Sequence, residues 1–238
     1  MRHAIVTGGG RGLGAAISQE LAAAGCAVTI NYHADEDAAA AVLTAIEAAG
    51  GTAQALRGDM SDPRQVGRLF VDARVGFGPV TVLVCNAGIA RHSDVFVNDL
   101  DGFDATFALN VRGALVAVQE ALPDMREAGF GRLIFLSSLA ARTGGNISTA
   151  YAASKAALEG MMHHYAASLR DHGVTANAIA PALIESDMVA GMHPPPPAEL
   201  PMGRLGRPAE VAMVARLLLD CGYLTGQTIH LNAGRYMT

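Results

Sequence analysis

Tyr151 and Lys155 stand four residues apart in Tyr151-Ala152-Ala153-Ser154-Lys155, and Lys155 is the only lysine in a total of 17 lysines and arginines. On a helix, positions i and i+4 share a face, so the ammonium can lie beside the phenol. An ammonium is a compact, rotatable charge with a tunable pKa, which a planar guanidinium is not. A positive charge close to a tyrosine favours phenolate and lowers its pKa from about 10. The chemistry this offers is proton donation and acceptance near neutral pH. The pair taken alone fits a solvated surface pair on an alanine-rich helix equally well.

A second constellation is Thr7-Gly8-Gly9-Gly10-Arg11-Gly12-Leu13-Gly14, which follows an apolar run and opens into Ala15-Ala16-Ile17. Glycines let backbone amides approach a ligand closely, and a helix N-terminus presents unpaired N–H groups to a pyrophosphate. In a strand–turn–helix context this pattern predicts a dinucleotide site. No Gly-Lys-Ser/Thr follows, so it is not a P-loop. At the tip of the next apolar run stand Asn31-Tyr32-His33, with Asp35 just beyond. Without a carboxylate at the tip, a 2′-phosphate is not repelled, and Arg11 with His33 can bind it. NADP(H) is therefore the expected cofactor, NAD(H) stays open, and His33 reads equally as an ordinary loop histidine.

Positioning these groups requires a scaffold, and apolar runs alternate with alanine-rich helical stretches along the 238 residues. The strand candidates are Ala4–Thr7, Ala27–Tyr32, Thr52–Leu56, Val80–Cys85, Arg132–Ser138, Thr175–Ile179 and Thr228–Leu231. Leu13–Ala24, Asp35–Ala49 and Pro63–Val75 have helical spacing. Strands apolar throughout and separated by helices predict an α/β fold: a single Rossmann-like, doubly wound parallel sheet of about seven strands with helices on both faces. Residues 1–238 are expected to form one domain. The net charge of -5 points away from nucleic acid. No apolar run reaches the roughly 18 residues of a membrane span. Met1-Arg2-His3 runs straight into a strand, so no signal peptide is expected. Cys26, Cys85 and Cys221 read as reduced core residues of a cytoplasmic protein, with neither a disulfide nor a metal framework. Pro194-Pro195-Pro196-Pro197 reads as extended polyproline II, a stiff surface loop or a docking motif.

In chain order, Thr7-Gly8-x-x-x-Gly12-x-Gly14, Asn86-Ala87-Gly88, Asn110, and Ser138 with Tyr151-x-x-x-Lys155 resemble the short-chain dehydrogenase/reductase family. The narrower similarity is to its 3-oxoacyl-[acyl-carrier-protein] reductase and acetoacetyl-CoA reductase branch. It extends to Tyr223-Leu224-Thr225-Gly226-Gln227 and the tail Asn232-Ala233-Gly234. The resemblance implies NADPH-dependent reduction of a 3-oxoacyl thioester. Tyr151 would be the proton donor, and Lys155 would hold the nicotinamide ribose and depress the tyrosine pKa. Ser138 would hydrogen-bond the developing oxyanion, and Ser138 and Tyr151 together would contact substrate. The thirteen-residue step from Ser138 to Tyr151 favours Ser138 over Ser137. Asn110 would hold a water linking Lys155 to solvent, or be a satisfied mid-helix amide. The implied cofactor contacts are Gly8, Gly10, Arg11, Gly12, Leu13, Gly14, Tyr32 and His33, then Asp59 with Met60 at the adenine. Asn86, Ala87 and Gly88 would lie at the adenosine ribose, and Tyr151, Lys155, Pro181 and Ile184 at the nicotinamide end. Asp59 reads alternatively as a cap of the helix near Pro63, for which Ser61 or Asp62 is better placed. A homotetramer is implied, built through the helices carrying Asn110 and Tyr151 and through the last strand.

Three departures from the family pattern stand out. Pro181-Ala182 replaces Pro-Gly, and a positive φ at Ala182 would cost on the order of 1 kcal/mol. The covering segment from Asp187 to Leu200 is short, with a proline run where a helical flap is usual, and Leu219–Tyr223 lacks a few residues. A carrier-borne substrate would need a basic patch, to which Arg126, Arg132, Arg142 and Arg170 can contribute. Competing readings are a reductase or dehydrogenase of another carbonyl (a polyketide intermediate, a sugar, a small ketone), or a nicotinamide-binding regulator without turnover.

Overall fold

This computed structural model describes residues 1–97, 99–191 and 195–237. Its strands are β1 (His3–Val6), β2 (Ala27–Tyr32), β3 (Thr52–Arg57), β4 (Val82–Cys85), β5 (Gly131–Leu136), β6 (Val174–Pro181) and β7 (Thr228–Leu231). All neighbouring pairs are parallel, in the order β3-β2-β1-β4-β5-β6-β7. Every expected strand is present. The helices are α1 (Gly12–Ala23), α2 (Glu36–Ala48), α3 (Pro63–Phe77), α4 (Leu100–Phe107), α5 (Ala114–Ala128), α6 (Ala140–Thr143), α7 (Thr149–Leu169), α8 (Asp187–Ala190) and α9 (Pro208–Asp220). A π-helical turn, Ala108–Gly113, joins α4 to α5.

The sheet is parallel because its central strands are apolar on both faces and must be covered twice. Successive side chains of a strand point to opposite faces. In β1, Ala4 and Val6 enter one core with Ile17 and Leu21 of α1, Val42 and Ile46 of α2, and Val211 and Leu218 of α9. Ile5 enters the other, with Val66 and Phe70 of α3, Ala117 and Val118 of α5, and Leu158 and Met162 of α7. From β1 the sheet grows outward through β2 and β3, then resumes on the other side of β1 with β4. Such a reversal opens a crevice at the carboxyl ends of the strands. The glycine-rich turn after β1, Asn86 after β4, Ser138 after β5 and Pro181 at the end of β6 all lie at that edge.

The departures resolve in structural terms. Ala182 is not strained: the non-glycine residues with positive φ among those described are Met202 and Ala233. Its N–H donates to Leu231 O at 2.9 Å, which fixes it against β7. Among the described residues, the covering segment holds the short α8 and the 3-10 turn Pro197–Glu199, and a second 3-10 turn, Pro201–Gly203, follows it. Pro196 has the polyproline II angles φ -61 and ψ 155, whereas Pro197 already enters a 3-10 turn. Pro194 lies outside the described residues. The shortened corner before β7 is closed by Asn177, which donates to Leu224 O at 2.7 Å and accepts from Gln227 N at 3.0 Å.

Candidate active site

Ser148 begins the arrangement. Its backbone is extended and its Oγ caps α7 by accepting from Tyr151 N at 3.2 Å. Tyr151 is thereby held in the first turn, and Lys155 follows one turn later on the same face. Both are buried, at 8% and 6% exposure, which removes the solvated-pair alternative. Lys155 Nζ donates to Leu136 O at 2.7 Å, at the end of β5, and lies 5.7 Å from the Tyr151 ring centroid.

The electrostatics differ from the expectation that Lys155 lowers the Tyr151 pKa. Burial pushes the Tyr151 phenol above its ordinary value, and a hydrogen bond with Ser138 acts in the opposite direction. Burial also lowers Lys155 to about 8, against a smaller opposing effect of the nearby Cys85. The ammonium is spent on a carbonyl, and the surroundings disfavour charge on both partners. Cys85 itself is pushed up to about 12 by burial, which leaves its thiol inert at neutral pH.

The two serines separate cleanly. Ser137 is buried, and its hydroxyl is engaged by Glu159 Oε1 at 2.8 Å, with Lys155 O at 3.2 Å. Ser138 is partly exposed; its Oγ accepts from Ala140 N at 3.2 Å and interacts with the phenol. Of the two, Ser138 has the hydroxyl that can meet a reacting oxygen. Asn110 sits in the π turn, a local widening often found at functional sites. Its Oδ1 accepts from Ile89 N at 2.9 Å, and its Nδ2 donates to Ile89 O at 3.1 Å and Ser154 Oγ at 3.0 Å. Ser154 passes the chain on to Tyr151 O at 2.8 Å. The Asn110 side-chain amide is therefore satisfied by protein. A side chain at Gly88 would meet Asn110 Oδ1 at 3.1 Å and Lys155 Nζ at 3.6 Å, so glycine lets these two groups close on the segment after β4.

The cradle at the crevice is built by residues outside the glycine motif as well. Gly8 has φ +61, and a Cβ at Gly14 would stand 2.2 Å from Gly8 O, so neither position accepts a side chain. Thr7 Oγ1 accepts from Asn86 N and Ala87 N at 3.0 Å each, while Asn86 Nδ2 donates to Thr7 O at 2.8 Å and Gly8 O at 3.0 Å. Buried Asn31 Oδ1 accepts from Gly8 N at 3.1 Å and its Nδ2 donates to Gly58 O at 3.0 Å. Gly10 is buried against Ala39 of α2, and Leu13 packs on the core beneath.

Where the sequence leads one to expect the adenosine, Arg11 is exposed at the N-cap of α1, and His33 is exposed at the tip of β2. Asp35 caps α2 by accepting from Ala38 N at 3.0 Å, so its carboxylate is committed to the helix. Arg57, which the sequence reading passed over, is opposite Tyr32 in register and donates from Nε to His33 O at 3.0 Å. Its signal was available as a cation at the end of the neighbouring strand. Asp59 accepts from Ser61 N at 2.8 Å and does not cap α3; the cap is Asp62, the better-placed of the two. Met60 is 4% exposed; its side chain belongs to the core and its carbonyl is packed against Gly113. Ile184 is buried and bridges to Gly206 at the base of the covering segment.

Two arginines of the expected basic patch are committed elsewhere. Arg132 is 6% exposed, donates to Leu219 O and Gly131 O at 3.1 and 2.8 Å, and stacks 4.2 Å from the Phe130 ring centroid. Arg142 pairs with Glu159 at 2.7 Å. Beside the first turn of α7 lies a cavity of about 150 Å³ lined by Arg91, Val95, Val97, Leu100, Phe103 and Ser148 among others. No helix among the described residues is long and apolar enough to cross a membrane.

A sequence profile of the short chain dehydrogenase family matches residues 2–196. The chain is 38% identical to nodulation protein G of Azospirillum brasilense over 97% of its own length and 96% of that protein. It is 34% identical to a 3-oxoacyl-[acyl-carrier-protein] reductase of Staphylococcus aureus, over 99% and 98% respectively. The crystal structure of a 3-oxoacyl (acyl-carrier-protein) reductase from Agrobacterium tumefaciens with NADP bound superposes with a TM-score of 0.91 at 33% identity, covering 98% of this chain and 93% of that one.

Proposed function

The chain belongs to the short-chain dehydrogenase/reductase family, oxidoreductases acting on CH-OH and C=O groups, and from that premise we propose that it is an NADPH-dependent reductase of a 3-oxoacyl thioester. The thioester is carried on acyl-carrier protein or CoA, the product is the 3-hydroxyacyl thioester, and the reaction belongs to fatty-acid synthesis. The observation that carries the reading is the buried Tyr151–Lys155 pair facing Ser138 at the edge of a glycine-lined crevice. The two 3-oxoacyl reductases similar to this chain support the substrate class.

The residues fit a bound dinucleotide. Gly8 and Gly14 leave no room for side chains where the turn closes, and it ends at the N-terminus of α1, where phosphate oxygens are favoured. Arg11 and Arg57 flank the position of a 2′-phosphate, and Asp35 is occupied by its helix, which together favour NADP(H) over NAD(H). When bound, the nicotinamide supplies the hydride. Tyr151 O–H donates its proton to the carbonyl oxygen of the substrate, and burial keeps that proton in place at neutral pH. Ser138 Oγ–H donates a hydrogen bond to the same oxygen, an interaction that strengthens as negative charge develops. Lys155 holds ribose hydroxyls, Pro181 and Ile184 line the nicotinamide end, and Asn110 supports Tyr151 through Ser154.

We read residues 1–238 as one domain of a cytoplasmic homotetramer; Leu115 of α5 and Met213 and Leu217 of α9 stay exposed as contact surface. A second reading, reduction of a free carbonyl rather than a thioester, is favoured by the burial of Arg132 and the pairing of Arg142 with Glu159, which leave fewer free cations for a carrier. NADPH and NADH oxidation against acetoacetyl-CoA, longer 3-oxoacyl thioesters and simple ketones tests both. Thioester turnover with NADPH preference is expected; preference for NADH, or no thioester turnover, overturns the proposal. Tyr151→Phe should abolish turnover while NADPH still binds, and retained turnover would remove the catalytic reading altogether.

A further inference from the structure

Glu159 lies one turn beyond Lys155 on α7 and is 4% exposed. A buried carboxylate is costly to desolvate, and a buried ion pair frequently returns less than its desolvation takes. It therefore makes a poor general stabiliser, so its two contacts are informative. Oε1 accepts from Ser137 Oγ at 2.8 Å, and Oε2 pairs with Arg142 Nη2 at 2.7 Å. Ser137 immediately precedes Ser138, and Arg142 lies in α6, whose first residue donates to Ser138 Oγ. One carboxylate on the helix of Tyr151 and Lys155 thus grips both ends of the short segment that carries Ser138. Ser137 Oγ also lies 3.2 Å from Lys155 O, so the grip is anchored at the turn bearing the lysine.

We infer that Glu159 is a positioning residue, which with Arg142 and Ser137 holds the Ser138 hydroxyl in register with the Tyr151 phenol. This rests on the reading of Ser138 and Tyr151 as the groups that meet the carbonyl oxygen. Tertiary contact is required for the arrangement, because Ser138 and Tyr151 come from different elements joined by an exposed loop. Apart from the clamp, α6 is a four-residue helix that ends in glycines and is held by buried Ala140 and by Leu139 N–H donating to Pro181 O at 2.9 Å.

The test uses Glu159→Gln, Arg142→Ala and Arg142→Lys, each alone and combined with Ser138→Ala. NADPH-dependent reduction of acetoacetyl-CoA, NADPH binding by its fluorescence, and thermal melting are measured for each. Glu159→Gln and Arg142→Ala should each lower kcat about tenfold with the NADPH dissociation constant unchanged within about twofold, and Arg142→Lys should recover most of kcat. In the Ser138→Ala background either change should cost less than about twofold, since there is no hydroxyl left to position. A merely structural role predicts the same tenfold loss in both backgrounds, and that result overturns the proposal, as does full kcat in the single variants. The Arg142 side chain is 41% exposed, so its variants carry the test if Glu159→Gln does not fold. Full activity of Ser138→Ala alone would overturn the functional reading as well; multiplicative losses with an impaired Ser138→Ala would overturn only the positioning role.

Discussion

Lys155 occupies a slot that fits an ammonium and little more. Its Nζ reaches Leu136 O at 2.7 Å, beneath a glycine that gives it room. A guanidinium brings five donors in a rigid fork to a place with one carbonyl. Lys155→Arg is therefore expected to lower kcat by roughly a hundredfold or more, despite a chain that otherwise uses only arginine; activity within a few-fold of wild type would contradict this. Burial lowers the Lys155 pKa to about 8, so its charge is present below that pH and lost above it. The profile of kcat/KM for NADPH, which reports the free enzyme, should fall above about pH 8. A flat profile through pH 10 would show that this titration does not matter. At the other end of the crevice, Arg57→Ala should weaken NADPH binding roughly fivefold to tenfold and leave NADH within about twofold, because only a 2′-phosphate engages a second cation. Parallel fluorescence titrations decide it.

Among the elements, α7 carries the most chemistry and depends on its first turn. Ser148 satisfies an N–H that belongs to Tyr151 itself, so its loss acts on the catalytic side chain and not on helix stability alone. Ser148→Ala should cost about 1 kcal/mol, the ordinary value of an N-cap, and lower the melting temperature by about 2–4 °C in a domain of this size. It should also reduce kcat several-fold, with Ser148→Thr restoring both. Unchanged kcat alongside a lowered melting temperature would show that the cap serves the helix only. The π turn is the other specialised element. By widening the helix at Asn110 it brings that amide into contact with Ile89 and Ser154 together. No spacing rule for α-helices predicts this.

The whole molecule divides function and stability between the two ends of its sheet. Chemistry sits at the carboxyl ends of the strands, while the amino ends are tied by buried polar groups. His3 is 1% exposed and its Nδ1 donates to Gly78 O at 2.8 Å, which assigns Nε2 as the acceptor from Thr29 Oγ1 at 2.8 Å. Thr29 Oγ1 already accepts from Gln54 Nε2 at 2.9 Å, so an imidazolium would leave its hydroxyl proton without a partner. Burial accordingly lowers the His3 pKa from its ordinary 6.5. The folded state then binds fewer protons than the unfolded chain between the two values. His3's contribution is intact above about pH 6.5 and is lost as pH falls from there toward the folded pKa. Melting temperatures between about pH 7.5 and 5 should drop more steeply in wild type than in His3→Gln. Parallel curves would exclude His3 as the cause.

The strand runs, the glycine turn and the Tyr151–Lys155 spacing were legible because each is a local pattern: unbroken apolar runs, backbone freedom and i,i+4 proximity all act within a few residues. The same kind of signal was available for the Ser148 cap and for Glu159, four residues past Lys155, though it carried no hint of their partners. Only the assembled molecule decided that burial raises the Tyr151 pKa and lowers that of Lys155, since desolvation depends on what the whole fold places around a group. It likewise gave Ser137 and Ser138 different surroundings, brought Arg57 to the tip of β2, buried Arg132 and paired Arg142 with Glu159. Each of these turns on contacts between residues distant in the chain or on how deeply a residue is buried. One sequence records which side chains are present, and the packing of helices on the sheet determines which of them meet, at what distance and how dry.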